Sequence, residues 1–361
     1  MVDAPEPSAP PSLLGRTAIR RGATRIVLSL VIAAGFVWVL RRGGLPFAPP
    51  QHALDRLQWW GVPAFVFLMS TATFLRTRRW IYLLRPLAPG LRPWRVFGVG
   101  LVGFAAIFFA PLRLGEMVRP YLLSRDKQVT FMQTMGTVAA ERIIDGLILM
   151  LMAFSALLLS RPLSPLPDHV GNLPIPTALV PKTMLFATLM FSGAFAAMAI
   201  FYLARNPARQ LVSRVLGVVS TRLAVFGAGT VERLAESFGF LTSWSRTAPF
   251  LWNTLAYWLF NGLAQFALLR GVGLDATVAQ AFVVLGVVGL GSLLPAGPGF
   301  FGAYQVAMYT GLAMYNVEQD VVVGAAAFVF VSYICHLAIN ALAGVVGLLL
   351  LARVPPVQNA P

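Results

Sequence analysis

The sequence has one cysteine, Cys335, which excludes an intrachain disulfide. Its three histidines, His52, His169 and His336, are too scattered to form a metal site by spacing, and no metal or other cofactor is expected. Charged residues make up only 11% of the chain, and Lys127 and Lys182 are the only lysines among 28 basic residues, the rest being arginine. No P-loop and no G-x-S-x-G elbow occurs. GVGLVG at 98–103 satisfies G-x-G-x-x-G, but it lies inside an apolar segment with no preceding strand and no acidic residue about 20 positions on, so close helix packing explains it better than dinucleotide binding. No hydrophilic stretch is long enough for a soluble catalytic domain, which confines the chemistry to a bilayer or its surface.

What the chain has instead is apolar length. Hydrophobic residues make up 58% and the mean hydropathy is +0.75, values that belong to a membrane protein. Crossing a hydrocarbon core takes roughly 20 helical residues. Spans are expected near 24–40, 61–77, 137–160, 183–204, 249–270 and 322–352. The expected fold class is an all-α integral membrane protein, a polytopic helical bundle. A net charge of +15 in a soluble chain would point to nucleic acid, but here the arginines fall in short clusters between spans and read as topology signals and contacts to anionic headgroups. The expected organisation is a disordered cytoplasmic tail at 1–22, a membrane domain at 23–352 with halves 23–160 and 183–352, and a short tail at 353–361. IVLSLVIAAGFVWVL after four arginines is similar to a signal peptide, yet no A-x-A cleavage pattern follows, so it is taken as a retained first span.

Arginine clusters at 76–95 and 205–233 place those loops and the N-terminus in the cytoplasm, with the proline-rich loop 161–182 outside. The location is therefore the inner (cytoplasmic) membrane. Two further apolar stretches, 96–124 and 277–315, are broken by turns. By this count they form re-entrant hairpins inserted from opposite faces, the first turning at Pro111 and Gly115, the second at Pro295, Gly297, Gly299 and Gly302. GVGLVGFAAIFFAP and GVVGLGSLLPAGPG are faintly alike, as in an inverted repeat, and interrupted spans in corresponding halves point to a transport site near the midplane. Segment 205–248 carries Leu211, Val215, Leu216, Val219 and Leu223 at helical spacing beside arginines, as in an amphipathic helix on the inner surface. Tryptophans 59, 60, 80, 94, 244 and 252 lie near span ends and fit an interfacial belt.

Irregular backbone at membrane depth must be sheltered in protein or line a wet cavity. Arg113, Glu116 and Arg119 follow the first turn directly, and an ionised group at that depth costs about 2.5–3.5 kcal/mol. Glu116 can reach Arg113 or Arg119 at a spacing of three. In VAAERIIDGLIL, Glu141 and Asp145 share a face and Arg142 can pair with Asp145. These six residues could hold an anionic headgroup phosphate on the arginines, with Glu116, Glu141 and Asp145 orienting those arginines or contacting a cationic headgroup, or form a salt-bridge network that only locks the hairpin. The second turn has no charge, and a helix beginning near Phe300 would aim its amide end at the cavity as an anion site. Asn261 with Gln265, and Ser332 with His336 and Asn340, form polar stripes that interhelical hydrogen bonding accounts for. His336 could relay protons if a cavity reaches it.

LRTRRWIYLLRP, APLRLGEMVRPYLLSR, VAAERIIDGLIL and LPAGPGFFGAYQ resemble, in order and spacing, the flippase-like membrane domain of lysylphosphatidylglycerol synthetases and its stand-alone relatives. The most specific elements are R-x-G-E at 113–116 and E-R-x-x-D at 141–145. The resemblance implies a polytopic domain that moves a phospholipid or lipid-linked precursor between leaflets, with membrane lipids rather than nucleic acid as partners. The synthetases append a soluble aminoacyl-transfer domain after the last span, whereas this sequence runs only to Pro361, so no enzymatic transfer is expected of it. Family members often carry a glutamate where this sequence has Gln305, so coupling or substrate charge can differ here. Two other readings stay open. One is a non-catalytic partner of an envelope or lipid biosynthesis enzyme. The other is a membrane glycosyltransferase using a lipid-linked sugar, for which Asp55 is the one carboxylate between the first two spans.

Overall fold

The computed structural model describes residues 16–46, 48–55, 57–110, 115–218, 220–294, 296–316 and 324–354. Among these, every regular element is a helix: α1 (Arg16–Arg42), α2 (Gln51–Leu54), α3 (Gly61–Leu84), α4 (Pro93–Phe109), α5 (Val118–Ser124), α6 (Phe131–Leu159), α7 (Leu179–Leu203), α8 (Arg205–Gly217), α9 (Thr221–Glu236), α10 (Trp244–Gly271), α11 (Val278–Gly291), α12 (Ala303–Ala313) and α13 (Ala325–Arg353). By length and composition α6, α7 and α13 can cross a membrane, with hydropathies of 2.1, 2.0 and 2.3. Local signals set several starts. Thr130 and Gln133 form a capping box at the head of α6, and Thr277 with Gln280 repeats it at α11. Pro93 opens α4, where its missing N–H costs nothing.

Loop contacts sort the helix ends onto two opposite edges. On the first edge, Arg95 at the head of α4 donates to both Asp126 oxygens beyond α5, at 2.7 and 2.8 Å, and to the Val354 carbonyl at 3.0 Å. Ser237 Oγ, past α9, donates to the Gln133 carbonyl at 2.7 Å. On the second edge, the Gln58 amide donates to the Gly271 carbonyl, Asn172 to Gly43, and Leu163 to Met314, at 2.7–2.8 Å. Both ends of the α4–α5 pair therefore lie at one edge, and the α11–α12 pair opens toward the other. The long helices α3, α6, α7, α10 and α13 run between the edges.

Close packing relies on small residues. Gly61 and Gly271 meet backbone to backbone where α3 and α10 cross, and a Cβ on Gly61 would lie 2.7 Å from the Gly271 Cα. The two broken pairs are embraced reciprocally. On α4 against α13, Gly347 and Gly344 leave room for Leu101 and Ala105; on α11 against α6, Gly286 and Gly289 leave room for Ala153 and Leu149. Each broken pair thus packs on the long helix that follows the other one.

Three expectations need correction. The span at 61–77 continues as helix to Leu84, because nothing in TRRWIYLL breaks it, so Arg76 and Arg79 belong to α3 and not to a loop; Arg79 is fully buried, while Arg78 faces out. Segment 205–248 does not form one amphipathic helix. It folds as α8 and α9 in a hairpin with the break after Gly217, and Gly227 of α9 makes room for Val212 and Leu216. Trp80 leaves the interfacial belt: it is fully buried, and its Nε1 donates to Thr137 Oγ1 at 3.1 Å. Trp59, Trp94, Trp244 and Trp252 are exposed.

Candidate functional site

Pro111, Arg113 and Pro295, all assigned to turns or the headgroup cluster from the sequence, lie outside the described residues. The backbone on either side of them is informative. Gly115 presses against the end of α4 so tightly that a Cβ would lie 2.1 Å from the Ala106 carbonyl carbon. In the second turn Gly299 and Gly302 have φ of 71° and 88°, left-handed values that a side chain would strain. A Cβ on Gly302 would also meet the Phe36 side chain of α1 at 2.1 Å, and one on Gly297 would meet Ala33 at 2.8 Å. The end of α4 faces the second turn, with the Phe108 and Phe300 rings 5.9 Å apart.

Between the turns lies a cavity of about 530 Å³, within the usual range for a small-ligand pocket. One wall is charged, with Arg76 from α3, Glu116 beside the first turn, and Arg142 and Asp145 from α6. A second wall carries Asn261, Tyr304, His336 and Asn340. The rest is apolar, including Leu149, Met150, Leu285, Val288 and Leu293. Leu293 is 54% exposed, so the apolar end of the cavity opens at the molecular surface.

Behind the charged wall sits a dry ion-pair network. Glu141, fully buried, accepts from Arg79 at 3.2 Å through one oxygen and from Arg119 at 2.8 Å through the other. Arg79 Nη2 also donates to Asp145 at 2.6 Å, and Nη1 donates to Thr254 Oγ1 at 2.9 Å. Aromatic faces cover the guanidiniums. Arg79 lies over Tyr257, Arg76 over Phe104 and Tyr257, and Arg119 over Phe104 and Trp80, with centroid distances of 4.0–5.5 Å. Gly103 makes this fit possible, since a Cβ there would lie 2.0 Å from Arg119 Cγ. The second glycine of GVGLVG similarly clears Thr77 of α3, so that motif is a helix-packing device.

Of the pairs read from spacing, the two that fall wholly within the described residues, Glu116 with Arg119 and Arg142 with Asp145, are not the pairs that form. Asp145 is taken by Arg79 rather than by Arg142, and Arg142 Nε faces Glu116 at 3.7 Å instead. Arg119 turns away from Glu116 to Glu141. Within-helix spacing left these choices open, and the crossing of α3 over α6 decides them. Of the expected headgroup residues, Glu116, Arg142 and Asp145 line the cavity, while Arg119 and Glu141 form the support behind it. Arg76 and Arg79 were missed. Their signal was a charge inside a helix with no turn residue for seven positions, which the positive-inside pattern masked.

The described part of the cluster holds four guanidiniums, Arg76, Arg79, Arg119 and Arg142, against three carboxylates, Glu116, Glu141 and Asp145. Buried nitrogens of Arg76 (Nε), Arg119 (Nε, Nη2) and Arg142 (Nε, Nη2) have no hydrogen-bond partner among the described residues. A surplus of buried donors with one excess positive charge fits an anion with several acceptor oxygens.

Among the polar stripes, Asn261, His336 and Asn340 reach the cavity, whereas Gln265 and Ser332 are almost fully buried and are not on its wall. Gln305 does not face the cavity either. Its Oε1 accepts from the Gly302 amide at 2.7 Å and caps α12, which begins at Ala303 rather than near Phe300. That amide is therefore taken, which removes it from the anion site expected at this helix end; a glutamate here could accept the same bond.

An all-helical bundle in which α6, α7 and α13 are long and apolar enough to cross a membrane, with an amphiphilic cavity among its helices, defines the class as a helical membrane protein. Residues 26–352 match the family described as Lysylphosphatidylglycerol synthase TM region, and the chain belongs to that family. Neither the curated proteins nor the solved structures contain a match to it.

Proposed function

We propose that this protein translocates a phospholipid or lipid-linked precursor between the leaflets of the cytoplasmic membrane, carrying its anionic headgroup through the cavity. The observation that supports this most directly is the cavity's composition, an arginine-rich wall with unsatisfied donors continuous with an apolar mouth at Leu293. A pocket of this size suits a headgroup whose acyl chains stay in the bilayer. In this reading the first edge faces the cytoplasm, because Arg78, Arg85, Arg92 and the arginines of α8 and α9 gather there. The α4–α5 and α11–α12 pairs then enter from opposite leaflets as an inverted repeat, and the cavity sits where they meet.

Arg76 and Arg142 are assigned to the headgroup phosphate. Arg79, Arg119 and Glu141 are positioning residues that hold the wall in place. No covalent step is assigned to the chain.

The test is leaflet exchange of labelled phospholipids in liposomes that hold the purified protein. Exchange should exceed that of empty liposomes. Arg76→Gln and Arg142→Gln should each slow it about ten- to hundredfold, the usual consequence of losing a hydrogen bond to a charged group. Identical rates for wild type, both variants and empty liposomes across a headgroup panel would overturn the reading.

A further inference from the structure

Phe300, in the second turn, has a φ of 58°, a left-handed value that among the described non-glycine residues only Lys127 shares. An aromatic side chain takes that conformation only where its surroundings impose it, and such outliers gather at elements that switch between two states. Three sets of contacts impose it here. From α4, the Phe108 ring meets Phe300 at 5.9 Å and fills the space beside Gly299. From α12 and α13, Gln305 accepts from the Gly302 amide at 2.7 Å, and the Tyr333 ring lies 5.9 Å from that of Phe301. From α1, Phe36 occupies the notch at Gly302 and Ala33 abuts Gly297.

Of these neighbours, α1 is the one not locked into the bundle. α4 and α13 interlock through Gly344 and Gly347, and α12 follows the turn directly. On α1, Val27, Leu30, Val31 and Trp38 are 55–61% exposed, and Leu40, near its end, is its buried residue among those described. The tether lies at that end, on the second edge, where the Asn172 amide donates to the Gly43 carbonyl at 2.8 Å and Leu45 is buried. Gly44 beside the tether has a φ of 66°, which makes it a joint that a side chain would strain. α1 is thus fixed at one end and meets the second turn at Ala33 and Phe36, neighbours on one helix face. In lipid no hydrophobic force holds two helices together, so parting α1 from the turn exchanges packing for acyl-chain contact and leaves no polar group bare. Phe300 lines the cavity with Leu293, so the position of the turn sets the width of that end.

We propose that α1 is a latch on the second turn. With Phe36 seated in the Gly302 notch, Phe300 is held left-handed against Phe108 and this end of the cavity is narrow. With α1 swung away about Gly44, Phe300 leaves that conformation, the ring pair parts, and the opening beside Leu293 widens. The latch concerns how the cavity opens and goes beyond the translocation reading; only its effect on transport rests on that reading.

Amide hydrogen exchange on the full chain in lipid nanodiscs tests the latch without transport. In a Cys335→Ser background, Ala33→Cys with Gly297→Cys should cross-link on mild oxidation, because a Cβ on Gly297 would lie 2.8 Å from that of Ala33 and Gly297 has an ordinary φ of −65°. The amides of 299–304 should exchange about tenfold more slowly in the oxidised form than in the reduced one, and Phe36→Ala should speed them about tenfold. Amides of α6 should stay unchanged in both variants, which also reports that they are folded. Equal exchange at 299–304 in all these forms, an equal change throughout α6, or no cross-link would overturn the proposal. In liposomes the cross-link should slow leaflet exchange of a labelled phospholipid about tenfold or more, and reduction should restore it. Leaflet exchange indifferent to the cross-link would also overturn the latch. The expected amide changes with no leaflet exchange from either form would overturn the translocation reading and leave the latch standing.

Discussion

Glu141 is held between Arg79 and Arg119, so replacing its carboxylate leaves two buried guanidiniums short of a partner at once. Breaking a buried pair from one side costs about 3–5 kcal/mol, because the remaining charge stays desolvated. Glu141→Gln should therefore lower stability by about that amount, read as a shift of the unfolding midpoint in detergent. Arg142 differs. Its partner Glu116 is 3.7 Å away and both side chains are 32% exposed, a geometry worth at most about 1 kcal/mol. Arg142→Gln should keep near wild-type stability while losing exchange activity. Equal destabilisation of the two variants would refute the division between a supporting network and a ligand-facing wall. Glu141, Arg142 and Asp145 were legible as a cluster because ionisable residues stand out in an apolar run. Which arginine each carboxylate takes was not legible, since three of the competing guanidiniums arrive from other elements.

The elements that build the site are the two turns, and each depends on contacts a side chain would block. At Gly115 the obstacle is backbone, the Ala106 carbonyl, which cannot swing aside. Gly115→Ala should displace the first turn and reduce both stability and exchange. Gly193, in the middle of α7, is different: a Cβ there would meet nothing within 4 Å. Gly193→Ala should leave activity unchanged and raise stability by about 0.5–1 kcal/mol through helix propensity. Thermal unfolding of the two variants side by side checks this; a neutral Gly115→Ala would show that the turn is not tightly held. Prolines and glycines announced both turns in the sequence. The length of α3 was less visible, because a cluster of arginines reads as the end of a span when its helix partners are unknown. The break between α8 and α9 was hidden as well, for the apolar spacing continues across it.

The whole molecule makes a topological prediction. In a Cys335→Ser background, Gly90→Cys and Arg125→Cys place single thiols on either flank of the α4–α5 pair, and Asp275→Cys and Asn316→Cys do the same for α11–α12. A membrane-impermeant thiol reagent should reach the first two from the cytoplasmic side only and the second two from the outside only. Labelling of positions 90 and 125 from different sides would make α4–α5 a full crossing and remove the opposed hairpins. The structural basis is the sorting of loop contacts, with Arg95 tied to Asp126 and Val354 at one edge and Leu163 tied to Met314 at the other.

Reading the residues in order was enough to establish that this chain is a bundle of membrane helices, where most of them start, and where two of its apolar stretches break. Those properties follow from run length, capping residues and turn formers, all of which act over a few neighbouring positions. It took the packed helices to establish that Arg76 and Arg79 are interior residues, that Glu141 joins Arg79 to Arg119, and that Asn261, His336 and Asn340 share a cavity with Arg142. In an apolar medium a charged or polar side chain must find its complement on whichever helix packs against it, and helix crossing, not sequence spacing, supplies that partner.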